Sequence, residues 1–140
     1  MDYFQKFKGR FIGIMQLEDC DALLQKLIDM PDDWFIFNTL QPMPSERLQA
    51  ADFINKMKHI KSIIDDEHDE RYCGIVYADD IKNPTFVKIF HPKNLGKTCG
   101  SSENPPMPQW LISKEQPMDV VTEFGPKEES EGFISKYLKF

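Results

Sequence analysis

The chain has 140 residues, 29% of them charged, with a formal net charge of -6 and a pI near 5.0. That balance excludes generic binding to phosphate backbones, whose affinity comes mainly from Lys and Arg, and no apolar run reaches the length of a membrane span. The length suits a single domain, residues 1–140, able to bury roughly two thirds of its unfolded surface without a disulfide or metal.

Phe11-Ile-Gly-Ile-Met15 reads as a short strand. Asp19 and Asp21 supply helix-entry chemistry, Leu23, Leu24, Leu27 and Ile28 recur at helical spacing, and Pro31 stops the pattern, which predicts a helix over 19–30. Trp34-Phe-Ile-Phe37 is an unbroken apolar run, as expected of a strand covered on both faces. Pro42 and Pro44 punctuate the next connection. Ser45 is placed to cap a second helix, whose stripe of Ala50, Phe53, Ile54, Met57, Ile60 and Ile64 carries it to about residue 65, with Asp52, Lys56, Lys58, His59 and Lys61 facing away. The charge run Asp65-Asp-Glu-His-Asp-Glu70 ends it.

Tyr72-Cys-Gly-Ile-Val-Tyr77 and Thr85-Phe-Val-Lys-Ile-Phe90 read as strands joined by a hairpin loop at 79–84. In the second, Phe86, Lys88 and Phe90 share one face and Val87, Ile89 and His91 the other; both faces are mostly apolar, so this strand is expected at the centre of the sheet. Trp110-Leu-Ile-Ser113 returns as a strand. Residues 114–126 are ambiguous, and Phe133, Ile134, Tyr137 and Leu138 mark a terminal helix. Strand, helix, strand, helix, a run of strands and a helix describe an α+β fold. The expected architecture is one mixed or mainly antiparallel sheet of about five strands against two main helices, with a C-terminal helix.

The three cysteines, Cys20, Cys73 and Cys99, are an odd number, and the N-terminal residues lack a long apolar signal region. Reduced thiols and a cytoplasmic setting are the expectation.

Residues 91–108 form the most specialised stretch, a loop dense in Gly, Pro, Ser, Cys and His after a strand, where binding and chemistry concentrate. Leu95-Gly-Lys-Thr98 resembles the end of a phosphate-binding loop, but the required first Gly is His91 and no helix follows, so the amide cradle is missing. Cys99 could act as a nucleophile with His91 as base, Lys93 and Lys97 lowering its pKa; the alternative is a half-buried loop thiol and a strand-ending imidazole. Lys82, Lys88, Lys93 and Lys97 are either a local basic patch or a solvated face. Cys73, His91 and Cys99 have the ligand types for zinc without its paired spacing, and the 65–70 acidic run lacks the Gly and alternation of a calcium loop. Asn104-Pro-Pro-Met-Pro-Gln-Trp110 suits a polyproline strap anchored by Trp110 and Met107. Tyr3, Phe4, Phe7 and Phe140 leave aromatic groups at both termini as candidates for packing on a sheet edge or for self-association.

The leading expectation is a binding or interaction module that uses the 91–108 loop, with Lys93, Lys97, Ser101, Ser102 and Trp110 as contact residues and a protein or small molecule as ligand. It calls for no cofactor, metal, nucleic acid or membrane, and self-association is open. The rivals are a thiol enzyme built on Cys99 and His91, and an acidic partner of a basic target, steered by the net charge and the 65–70 run.

Overall fold

The computed structural model describes residues 2–67, 72–92 and 107–125. Side-chain alternation in the strands sets its layers. In β4 (Phe86–Ile89), Phe86 enters one apolar cluster while Val87 and Ile89 enter another, as period-two geometry requires. With β1 (Ile12–Gln16), β2 (Phe35–Asn38), β3 (Tyr72–Ala78) and β5 (Trp110–Ser113) it makes a five-stranded, fully antiparallel sheet of order β1-β3-β4-β5-β2. β4 is central, as its two apolar faces predict. The fold is α+β.

One face carries α2 (Leu17–Asp29) and α3 (Ala50–Glu67). Leu23, Leu24, Leu27, Phe53, Met57, Ile60 and Ile64 bury against Val76, Ala78, Val87, Ile89 and Ile112, each large side chain contributing about 1.5–3 kcal/mol by leaving water. α2 begins two residues before the predicted start, because β1 hands over to it directly at Gln16. It ends before Pro31, and the chain turns back through Asp33 at φ 71°, a left-handed conformation that Asp tolerates better than most residues. Trp34 then stacks on Phe53 at 5.7 Å and donates from its indole N–H to the Met30 carbonyl at 2.7 Å.

α3 starts four residues later than the Ser45 cap predicts. The Leu48 amide donates to the Trp34 carbonyl at 3.0 Å, the Arg47 guanidinium lies 4.7 Å over the Phe35 ring, and the Ser45 carbonyl accepts from the Gln116 side chain. These ties hold 45–48 along the sheet margin beside β2, and the Phe53 amide closes the first helical turn on the Gln49 carbonyl. At the other end Lys61 bonds Asp65 at 3.0 Å and reaches Asp21 at 3.4 Å, linking α3 to α2. The Asp65 bond, the largest of several causes, raises the Lys61 pKa.

The opposite face of the sheet is covered by two short helices, α1 (Tyr3–Phe7) and α4 (Val120–Phe124). Tyr3, Phe7, Phe37, Phe86, Leu111 and Val120 form the second apolar cluster. α1 is held at its start by a reciprocal cap: Gln5 N–H donates to Asp2 Oδ1 at 2.9 Å and Asp2 N–H to Gln5 Oε1 at 2.8 Å, which satisfies two orphan donors. Phe7 stacks on Phe124 at 5.5 Å, and Tyr3 lies 4.8 Å from Phe86. The N-terminal aromatic groups thus pack on the sheet. The terminal helix expected over 127–140 lies outside the described residues.

The Tyr3 hydroxyl is buried and makes no hydrogen bond of ordinary geometry among the described residues; burial pushes its pKa well above the ordinary tyrosine value, against the weaker opposite pull of the neighbouring Ser113 side chain. An unpaired buried hydroxyl costs stability that its removal recovers. Tyr3→Phe is therefore expected to be neutral or to stabilise by about 1 kcal/mol, read as an equal or higher midpoint in urea. A clear loss of stability would show that the hydroxyl is paired.

Candidate functional site

The ends of the 91–108 loop are fixed by the sheet. On the return side, the Gln109 amide donates to the Ile89 carbonyl at 2.9 Å, and the Thr39 amide donates to the Gln109 carbonyl at 2.8 Å. The Thr39 hydroxyl donates to the Pro108 carbonyl at 2.7 Å. Met107 packs against the second apolar cluster, and Trp110 is 5% exposed within the first. The His91 ring stacks on Trp110 with centroids 6.0 Å apart and planes 25° apart. Entry and exit of the loop therefore meet at one end of the sheet, joined through an imidazole–indole pair.

Beside this junction lies a groove of about 520 Å³, within the usual range for small-molecule sites. Its floor is apolar, with Ile36 of β2, Ile60 and Ile63 of α3, and Trp110. Its rim is polar: Asn38 and Gln109 come from the strand ends, and Asn55, Lys56 and His59 from α3. Pro42 and Pro44 close the outer side. The rim offers amide donors and acceptors, one ammonium and one imidazole around a hydrophobic base. That combination orients a ligand with an apolar body and a polar or anionic end.

Of the residues singled out in the sequence, Trp110 lines this groove and His91 stacks on Trp110. Lys93, Lys97, Cys99, Ser101 and Ser102 lie outside the described residues, so the Cys99–His91 pairing has no geometry to report. Cys73 falls within β3, and no cluster of three metal-ligating side chains occurs among the described residues. Sequence reasoning missed Asn38 and Asn55, and placed Lys56 and His59 on a solvated face. The available signal was their position on α3: Asn55, Lys56, His59, Ile60 and Ile63 straddle the border of the apolar stripe, where a polar side chain reaches over buried surface.

Lys88 is the most perturbed described base. It sits on central β4, opposite Tyr77 and Leu111, with its ammonium 4.3 Å over the Phe7 ring and 4.0 Å over the Phe11 ring. Burial pushes its pKa down to about 8. It makes no ion pair among the described residues. Lys88 therefore belongs to the second core rather than to a surface basic patch, while Lys82, the other described residue of that expected group, is exposed.

Comparison with known protein families, curated proteins and solved structures finds no match. No helix among the described residues is long and apolar enough to cross a membrane.

Proposed function

We propose that this chain is a small binding module whose ligand occupies the groove between β2, α3 and the return of the 91–108 loop. The observation that carries this reading is the convergence of the loop's exit, at Gln109 and Trp110, on a groove with an apolar floor and a mixed polar rim. Trp110 is part of the apolar floor, Asn38, Asn55 and Gln109 fix orientation through amides, and Lys56 and His59 favour an acceptor-rich or anionic end. The ligand class is a small molecule, or a side chain of a protein partner, with a planar apolar body. The residues named here need no cofactor for this role.

Benzoate and benzamide test it by two-dimensional NMR. The expected result is chemical-shift change concentrated on Asn38, Asn55, His59 and the Trp110 indole, larger for benzoate. Asn55→Trp should fill the groove and abolish those changes while leaving the rest of the spectrum in place. Shifts that map elsewhere, or that survive Asn55→Trp, would remove this reading. Scrambling residues 93–106 separates the groove from the loop: weaker binding with the same shift pattern assigns the loop a part in recognition.

A further inference from the structure

The far edge of the sheet, opposite the groove, presents a second built surface. Among the described residues β1 has a strand neighbour on one side only, and its residues Ile12–Met15 contain none of the lysines or prolines that commonly block an open edge. The other edge, at β2, is flanked by the 45–48 segment through the Leu48–Trp34 bond. Beside β1 lies a cleft of about 550 Å³ lined by Ile12, Ile14, Ala22, Leu23 and Ile81. Ile12 is 46% exposed and Ile81 40%, so large aliphatic side chains stand exposed beside a strand edge that no described strand pairs.

The charges of this cleft are polarised. Asp19, Ala22, Leu23 and Lys26 all line it; at i, i+3, i+4 and i+7 they form one stripe of α2. Asp19 stands near the Gln16 end of β1. Lys26 stands about 10 Å further along the helix, bonded to the Lys82 carbonyl at 3.0 Å beside Ile81. Asp19 makes no ion pair among the described residues.

We infer that this edge is the self-association surface of the chain: β1 pairs antiparallel with β1 of a second copy about a twofold axis. An antiparallel partner strand brings its own α2 stripe in reversed order. The copy's Lys26 then faces this chain's Asp19 and the reverse, while Ile12 and Ile81 are covered from both sides. Across a twofold, a charged stripe is complementary to its own copy when acid and base lie at its opposite ends, and that is the arrangement here.

Sedimentation velocity on the intact chain at about 0.15 M salt, which screens net charge beyond about 8 Å, tests the pairing up to about 1 mM protein, a range that captures weak interfaces. A concentration-dependent dimer is expected. Hydrogen exchange should slow at backbone amides within 12–16 as the dimer forms. Ile12→Lys should raise the dissociation constant about tenfold or more, since it removes an aliphatic contact of the interface and sets a lysine on the open strand edge. Asp19→Lys should weaken the dimer similarly, and the double exchange Asp19→Lys with Lys26→Asp should restore it. Circular dichroism on each variant checks that the fold is kept, and the exchange data on the unmodified chain stand whether or not a variant folds. A chain that stays monomeric throughout overturns the proposal. So does a dimer that persists unchanged in Ile12→Lys, or one that the double exchange fails to restore.

Discussion

Asp79→Ala is expected to destabilise the protein by about 3 kcal/mol and to lower its melting temperature by roughly 10 °C. One carboxylate closes the β3–β4 hairpin. Asp79 Oδ1 accepts from the Thr85 amide at 2.9 Å and the Phe86 amide at 3.1 Å, and Oδ2 accepts from the Thr85 hydroxyl at 2.6 Å. The backbone amide of Asp79 returns a bond to the Phe86 carbonyl at 3.0 Å. Lys6 of α1 joins the same centre, donating to Thr85 Oγ1 at 2.6 Å and Glu115 Oε2 at 3.1 Å, with Asp79 Oδ2 at 3.8 Å. Removing the carboxylate leaves two partly buried amides without an acceptor and an ammonium with one fewer anion. Stranded groups of this kind cost more than the bonds themselves contribute.

Asp79→Asn separates the two parts. It keeps an acceptor for the amides and loses the charge, so about half the loss is expected. Neighbouring Asp80 provides the control. It accepts from the Lys82 amide at 2.8 Å and the Asn83 amide at 3.0 Å, and those backbone bonds hold its pKa below the usual carboxylate value. Its side chain is exposed, however, and water replaces those bonds when it is removed. Urea unfolding of the three variants checks the ranking. Equal effects of Asp79→Ala and Asp80→Ala would mean that the hairpin is fixed by its turn alone.

The sequence made the layers readable wherever a single periodicity dominated. Phe86 and Lys88 against Val87 and Ile89 gave the central strand, and the stripe from Phe53 to Ile64 gave the long helix. What could not be read depended on contacts distant along the chain. Ser45 has the chemistry of a cap, yet Leu48 and Arg47 are tied to Trp34, Phe35 and Lys114, and those ties override the local signal. α1 spans only five residues, too few for periodicity, although the Asp2 and Gln5 spacing of its capping box was visible. The groove was half legible. Trp110 stood out because it closes the proline run, while Asn38, Asn55 and His59 become neighbours only when β2 and α3 are brought side by side. The open edge at β1 was hidden for a different reason: which strands lie at the margin is a property of topology, and an apolar five-residue run reads the same in the middle of a sheet.

Lys88 yields the second large effect, a dependence of stability on pH. Its pKa is about 8 in the folded protein against 10.5 for an unperturbed lysine. Below pH 8 the amine is charged in both states, and the folded protein bears the full cost of an ammonium drawn out of water. Between pH 8 and 10.5 the unfolded chain binds more protons than the folded one, so stability rises with pH. Above 10.5 both forms are neutral and the cost is gone. The gain across this window is about 1–3 kcal/mol, less than the shift alone implies, because the ammonium keeps some solvent and the Phe7 and Phe11 ring faces attract it. Tyr3 acts in the opposite sense above pH 10: the unfolded phenol ionises while the buried one does not, which lowers stability there. The informative quantity is therefore the difference between the unmodified chain and Lys88→Met, in which Tyr3 and the surface lysines cancel. Met fills the slot between the two rings without a charge and gains sulfur–aromatic contact. Urea titrations from pH 7 to 10.5 are expected to show Lys88→Met more stable by about 1–2 kcal/mol at pH 7, with the advantage shrinking as pH rises. If Lys88→Met is instead much less stable at pH 7, the two ring faces outweigh desolvation, and Lys88 serves as a cationic pin between α1 and the sheet.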